Sequence, residues 1–277
     1  MLAAMKPPAR PATIRNEAEL LDVLTRPTDA LREFIKTLAS PLLILGAGGK
    51  MGPTLAVLAR RAAEEAGRSD LEIIAVSRFA DANARQWLES RGVRTVNCDL
   101  LDRDGIARLP AAENIIYLVG LKFGTSQNPG STWATNTLVP ALVCERYSAG
   151  RVVALSTGNV YPLSDAGRGG AVESDALTPL GEYANAAVGR ERIFEFCSAR
   201  YGTKVALLRL CYAVELRYGV LADIARKVYG GEAIDVSTAA FNCIWQGDAN
   251  EMILRSLALA QAPPNVWNLC RPEIFSV

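Results

Sequence analysis

The residues best placed to do chemistry in this 277-residue chain are a glycine loop in the first quarter and two hydroxyls further on. The loop reads Leu42-Leu43-Ile44-Leu45-Gly46-Ala47-Gly48-Gly49-Lys50-Met51-Gly52. It leaves a short apolar run and enters an alanine-rich, helix-forming one, the setting in which such glycines bind a dinucleotide. Gly46 permits the tight turn out of the strand. Gly48 or Gly49 lets the backbone approach a pyrophosphate, and Gly52 lets the helix press on the sheet. Free N–H groups at the helix start, with Lys50 and Met51 at the mouth of the loop, then face the phosphates. A purely structural turn, or a different phosphate ligand, uses the same glycines. No Gly-Lys-Ser/Thr ending is present, so this is not a P-loop.

Further cofactor contacts fall where later strands end. A ribose-binding Asp or Glu after the second strand favours NAD; here the chain reads Ser77-Arg78-Phe79. An arginine can pair bidentately with a 2′-phosphate, which favours NADP. A solvated Arg78, with Asp81 nearby, keeps NAD open. Asp99 and Leu100 follow the third strand, where the carboxylate can accept from an adenine amino group. Helix capping by Asp99 or Asp102 reads equally well. Val119, Gly120 and Leu121 follow the fourth strand. The fifth ends in Ser156-Thr157-Gly158-Asn159-Val160-Tyr161, and the next helix opens Gly181-Glu182-Tyr183. The Thr157 hydroxyl and the Tyr183 phenol both fall at the cofactor edge of such a sheet.

Composition narrows the chemistry. There is no histidine. Ser-His-Asp and Cys-His nucleophiles, His-ligated metals and imidazole bases are therefore excluded within this chain. Acid–base work near neutral pH falls to Tyr, Lys, Cys, carboxylates or a cofactor. The six cysteines (98, 144, 197, 211, 243 and 270) include no C-x-x-C pair. They read as buried free thiols of a reducing cytosol, and no metal site is expected. Lys plus Arg is 30 against 29 for Asp plus Glu, which gives no basic excess for nucleic acid. The first residues lack the apolar core of a signal peptide, and no apolar run has the length of a membrane span. The expectation is a cytoplasmic protein with a small-molecule substrate, engaging neither nucleic acid nor membrane.

The elements that must hold these residues follow from periodicity. Residues 1–12, with Pro7, Pro8 and Pro11, read as a mobile tail. Residues 17–24 and 28–38 read as amphipathic helices capped by Asn16 and Thr28, so that 1–40 form a leader packed on the main domain. From 41 to 212, strands at 42–45, 71–76, 93–97, 114–119, 151–156 and 204–210 alternate with helices at 50–66, 81–90, 132–148 and 180–201. That alternation predicts an α/β fold, a Rossmann-type doubly wound parallel sheet covered on both faces. Residues 213–277 read as a small, interleaved substrate lobe: a helix at 219–229, strand-like pieces at 233–236 and 241–245, a helix at 249–260 and a strand at 266–269. The ending 271–277 carries no helix signal and reads as a truncated or naturally short lobe. Arg217 is a candidate for a phosphate, a carboxylate or a structural ion pair, and Asp248 for a helix cap.

On Gly46, Gly49 and Gly52, the Ser156-Thr157-x-x-Val160-Tyr161 element, the Tyr183 helix and the Trp245-Gln246-Gly247-Asp248 turn, residues 41–277 resemble an extended short-chain dehydrogenase/reductase of the NAD-dependent epimerase/dehydratase family. The resemblance implies NAD or NADP, a sugar or nucleotide-sugar substrate, catalytic roles for Thr157 and Tyr183, and a homodimer through two helices. The chain departs from the family's pattern in two respects. Its tyrosine is followed four residues later by a lysine, which shares the helix face and lowers the phenol pKa; here that position is Ala187. Lys122, after the fourth strand, is at the right edge to substitute, and Arg190 is a second candidate. The family's 4,6-dehydratases carry Asp-Glu directly after the threonine, where this chain has Gly158 and Asn159. That disfavours dehydration and leaves redox, or epimerisation through a transient keto intermediate. The other reading is a catalytically silent dinucleotide-binding protein, a sensor or a scaffold.

Overall fold

The computed structural model describes residues 11–164 and 166–277; the tail expected at 1–12 lies outside these except for its last two residues. Two short helices open the chain, α1 (Glu17–Leu24) and α2 (Asp29–Ile35). Asn16 and Thr28 cap them as expected, accepting from the Glu19 and Leu31 N–H groups. The main run is β1 (Leu42–Leu45), α3 (Gly52–Glu65), β2 (Ile73–Ser77), α4 (Ala82–Ser90), β3 (Arg94–Asn97), α5 (Arg103–Ala107), β4 (Asn114–Tyr117), α6 (Pro129–Trp133), α7 (Val139–Arg146), β5 (Arg151–Thr157), α8 (Gly181–Tyr201) and β6 (Lys204–Leu210). Then come β7 (Tyr212–Val214), α9 (Val220–Gly230), β8 (Ala240–Trp245), α10 (Gln246–Arg255), β9 (Asn265–Leu269) and β10 (Ile274–Ser276).

Seven strands form one sheet in the order β3-β2-β1-β4-β5-β6-β9, every pair parallel. The order reverses between β1 and β4, and in open α/β sheets that is where ligands bind, beyond the carboxyl ends of the strands. The sequence reason is plain in β1. Its four apolar residues are all buried, because alternate side chains enter two different cores. Leu42 and Ile44 pack with α2, α3 and α10 through Leu31, Leu58 and Ile253. Leu43 and Leu45 pack on the opposite face with α7 and α8 through Val143 and Phe194. The leader helices are thus part of the first core. The second, three-stranded sheet has the order β10-β8-β7. The lobe is interleaved as expected, since β9 returns to the large sheet after β7 and β8 have left it.

Some boundaries differ from the sequence reading. The helix expected at 132–148 is broken by a π-helical turn at Ala134–Leu138 between α6 and α7. Pro140 has no N–H to give the carbonyl of Asn136, and a widened turn absorbs the missing bond. No strand forms at 233–236. Asp235 accepts from the Ser237 N–H, and this local turn competes with pairing. Asp248 is not a cap: α10 starts two residues earlier, at Gln246, and Asp248 lies in its first turn, 3.0 Å from Arg271. An acidic group there still favours the helix dipole. Sequence reading missed α5, β7 and β10, of five, three and three residues. They are too short to show a period.

Candidate active site at the carboxyl edge of the sheet

The glycine loop is shaped by backbone contacts. Gly46 has φ +82°, and a Cβ there would stand 3.0 Å from the Val119 backbone N, across the β1/β4 switch point. A Cβ on Gly52 would stand 2.3 Å from the Ala47 carbonyl oxygen, so only glycine lets α3 begin this close to the turn. The sequence left Gly48 and Gly49 equivalent. A Cβ on Gly48 would meet Ser77 Oγ at 2.5 Å, whereas one on Gly49 would meet only the Gly46 carbonyl oxygen, at an ordinary 3.5 Å. Gly48 thus lets the loop lie against the end of β2, and Gly49 keeps an open face. Met51 precedes α3 and supplies no side-chain cap, which leaves the first N–H groups of α3 uncapped by it. Lys50 sets its ammonium over two rings, 5.5 Å from Phe123 and 4.7 Å from Tyr218.

Beside the loop, Arg78 is exposed and forms no ion pair among the described residues. Its backbone is pinned: Asn97 Nδ2 donates to the Arg78 carbonyl at 3.0 Å. The next residue, Phe79, adopts φ +44°, which for a bulky side chain costs about 1–3 kcal/mol. Asp99 accepts from the Leu101 N–H, and it is Asp102 that caps α5. Leu100 is buried behind them. After β4, Val119 lines the Gly46 turn and Gly120 covers Arg190, whose Nη2 lies 2.6 Å from where a Gly120 Cβ would be. Leu121 is half-buried and Lys122 exposed. Lys122 leans on Phe123 at 5.9 Å, sharing that ring with Lys50.

The other half of the edge is built by β5 and α8. Thr157, the last residue of β5, accepts from the Asn159 N–H at 3.2 Å, leaving its own O–H free to donate. Tyr183 is half-buried in the first turn of α8. One turn on, Ala187 is fully buried with Val160 and Tyr161. Its face meets an apolar cluster, where a lysine would have no solvent to reach. Arg190 does not act as a free cation either. It is 5% exposed, donates to the Leu155 carbonyl at 2.5 Å, and bonds Asn136 of the π-helical turn. Ser156 turns inward, its hydroxyl donating to Glu191 at 2.5 Å. Glu191 in turn forms a fully buried ion pair with Arg209, at 2.8 Å. Arg209 also donates to the Tyr161 hydroxyl at 2.6 Å, which donates to Asn268 at 2.8 Å. Burial works against the Arg209 charge, but the bonds to Glu191 and Tyr161 outweigh it and hold its pKa above the ordinary arginine value. Nothing in the local sequence marks this network, because its members come from four separate segments.

The small lobe reaches back to the glycine loop. The Tyr218 hydroxyl meets the Lys50 carbonyl at 2.9 Å and Gln246 Oε1 at 2.8 Å. Burial pushes its phenol pKa up, so it stays neutral. Gln246 and Asn250 both donate to Thr54 Oγ1 of α3, at 3.0 Å each. Arg217 is a structural ion pair, held by Glu215 at 3.1 Å and Glu17 of α1 at 2.8 Å. Among the described residues, no cluster of His, Cys, Asp and Glu could hold a metal ion. No helix among them is long and apolar enough to cross a membrane.

Solved structures share this architecture. DesIV, a dTDP-glucose 4,6-dehydratase from Streptomyces venezuelae with NAD and TYD bound, is 19% identical at a TM-score of 0.72, over 85% of this chain and 77% of that one. A UDP-glucuronic acid 4-epimerase from Bacillus cereus in complex with NAD is 16% identical at 0.69, over 85% and 80%. RMD from Pseudomonas aeruginosa, complexed with NADPH, is 18% identical at 0.65, over 86% and 80%. At these identities the likeness is one of fold. No curated protein sequence matches the chain. The profile of the NAD dependent epimerase/dehydratase family matches residues 42–270, spanning the glycine loop, the Thr157 and Tyr183 elements and most of the small lobe, and the chain belongs to that family.

Proposed function

We propose that the chain is an NAD(P)-dependent oxidoreductase or epimerase acting on a hydroxyl or carbonyl of a sugar or nucleotide-sugar-like substrate. The observation that carries this reading is the glycine cradle at the β1/β4 switch point. Gly46, Gly48 and Gly52 stand where a Cβ would strike backbone or Ser77, and Gly49 has no neighbour nearer to its Cβ position than the Gly46 carbonyl oxygen at 3.5 Å. That cradle fits a pyrophosphate at a helix start. Gly46, Gly48, Gly49, Lys50, Met51 and Gly52 would hold it, with Ser77, Arg78, Asp99 and Leu100 on the adenosine side and Val119, Gly120 and Leu121 along the crevice. The unpaired Arg78 guanidinium supports NADP over NAD. The nicotinamide, when bound, accepts and returns a hydride.

This chain's own residues bind, orient and move a proton. Thr157 donates its hydroxyl to the reacting oxygen. Tyr183, in the first turn of α8, holds or takes the proton at that oxygen. Gly158 and Asn159 offer no carboxylate to drive a 4,6-elimination. The reading carries with it a small-molecule substrate, a homodimer and a cytoplasmic setting. A second reading, a dinucleotide-binding protein without turnover, is favoured by the burial of Ala187 among Val160 and Tyr161. Lys122, drawn onto Phe123, is the remaining candidate for the missing charge.

Calorimetric titration with NAD, NADH, NADP and NADPH tests the cradle. Preferential binding of the NADP forms is expected, and Arg78→Ala should cut that preference about tenfold. Silence with all four ligands would refute the cofactor reading. Tyr183→Phe should leave cofactor affinity unchanged and lower turnover on a sugar-nucleotide panel by about 100-fold or more. Full turnover in that variant would remove Tyr183 from the mechanism, and binding without turnover in the wild type would select the second reading.

A further inference from the structure

Four of the six cysteines stand in two pairs. Cys144 on α7 and Cys197 on α8 lie together inside the core, 0% and 3% exposed, where each thiol shifts the pKa of the other. Cys211 and Cys270 also shift the pKa of each other, but both are part-exposed. The sheet sets this second contact. Strands β6 and β9 run in parallel with Leu210 opposite Leu269, and the Cys211 N–H donates to the Leu269 carbonyl at 3.2 Å. The next residues in step, Cys211 and Cys270, therefore stand side by side at the carboxyl edge. Neighbouring strands lie about 4.8 Å apart, and disulfides span Cα separations of about 4.4–6.8 Å. Strand spacing falls inside that range.

Topology gives the pair its significance. Each cysteine is the residue at which the chain leaves the seven-stranded sheet for the three-stranded one. β6 passes through Cys211 into β7, and β9 passes through Cys270 toward β10. A bond between them would tie both exits together at the root of the small lobe.

We propose that Cys211 and Cys270 are a reversible thiol-oxidation site that takes a hydroperoxide as oxidant and closes to an intramolecular disulfide. Cys270 is the attacking sulfur. The neighbouring Cys211 thiol draws its pKa down to about 7, against the opposing effects of burial and of Glu173, while Cys211 itself is pushed up. The Cys270 thiolate attacks one peroxide oxygen. The O–O bond breaks, the departing oxygen takes a proton as water or alcohol, and Cys270 becomes a sulfenic acid. The Cys211 sulfur then attacks that sulfur. The S–S bond forms, the S–O bond breaks, and the oxygen leaves as water with the Cys211 proton. Two thiols lose two hydrogens, and the hydroperoxide is reduced by two electrons. Cys144 and Cys197 are likewise neighbouring thiols but are buried away from an oxidant, and serve as an internal control.

The test is a non-reducing peptide map of the full chain after exposure to hydrogen peroxide, with free thiols alkylated under denaturing conditions. A Cys211–Cys270 cross-linked peptide, lighter by two hydrogens than its separate halves and lost on adding dithiothreitol, is expected. Cys144 and Cys197 should be recovered alkylated. Cys211→Ser should stop the sequence at a Cys270 sulfenic acid that dimedone traps, and Cys270→Ser should slow peroxide consumption about tenfold. The proposal is overturned if Cys211 and Cys270 both remain alkylatable after treatment, if Cys270 goes to sulfinic acid without a cross-link, or if Cys144 and Cys197 bridge at the same rate. The wild-type map needs no variant, so a folding defect in either leaves the test decisive.

Discussion

The two halves of the edge are held by different means. On the β1/β4 side the shape is set by close backbone approach: a Cβ on Gly46 or Gly52 would collide with backbone, and one on Gly48 with the end of β2 at Ser77. On the β5/α8 side the shape is set by side chains: Ser156, Glu191, Arg209, Tyr161 and Asn268 bond in series. Backbone contacts admit one residue type and leave a signature in the sequence. Side-chain networks admit substitutions that come in sets, and this half is where the chain departs from the expected pattern, at Ala187 and, against the 4,6-dehydratases alone, at Gly158 and Asn159.

The contrast is sharpest at single glycines. Gly52→Ala should destabilise the protein by about 3 kcal/mol or more and abolish dinucleotide binding, since its Cβ would meet the Ala47 carbonyl at 2.3 Å. Gly49→Ala should stay within about 1 kcal/mol of wild type, because its nearest neighbour is at 3.5 Å. Equal melting temperatures for the two variants would break the comparison. On the other side, Glu191→Gln leaves the buried Arg209 cation without its counter-charge and should cost about 3–5 kcal/mol in chemical denaturation. A neutral result would mean that the network does not hold this half.

Ala187→Lys asks whether the reaction half could be restored to its family's pattern. The position is sealed by Val160 and Tyr161, so a loss of about 2 kcal/mol with no gain in turnover is expected. A rise in activity would show that the pocket yields to the ammonium. The smallest effect should come from Lys50→Ala. It removes contacts to Phe123 and Tyr218 and should weaken dinucleotide affinity a few-fold, by about 1 kcal/mol.

Legibility in the sequence follows the same division. Strand β1 could be read to the residue because both of its faces are apolar, and the glycine loop because its spacing is local. The choice between Gly48 and Gly49 could not be read, since it is made by Ser77 on another strand. The π-helical turn depended on Pro140 acting on Asn136, whose side chain is itself engaged by Arg190 from α8. The Glu191–Arg209 pair joins a helix to a strand and has no local signal. Arg190 shares a helix face with Tyr183, as its spacing predicts, yet its guanidinium is committed to Leu155 and Asn136. Spacing gives the direction of a side chain and not its partners.

Tyr218 has a consequence for how ligands affect each other. Its hydroxyl touches the Lys50 carbonyl in the glycine loop and Gln246 at the root of the small lobe, and Gln246 reaches Thr54 on the loop's own helix. To whatever extent an occupant of the loop shifts that hydroxyl, the lobe's preference for its own ligand shifts by the same free energy, and the converse holds with equal size. The cofactor and the substrate of this protein are therefore expected to be thermodynamic effectors of one another, with a single phenol as the point of exchange.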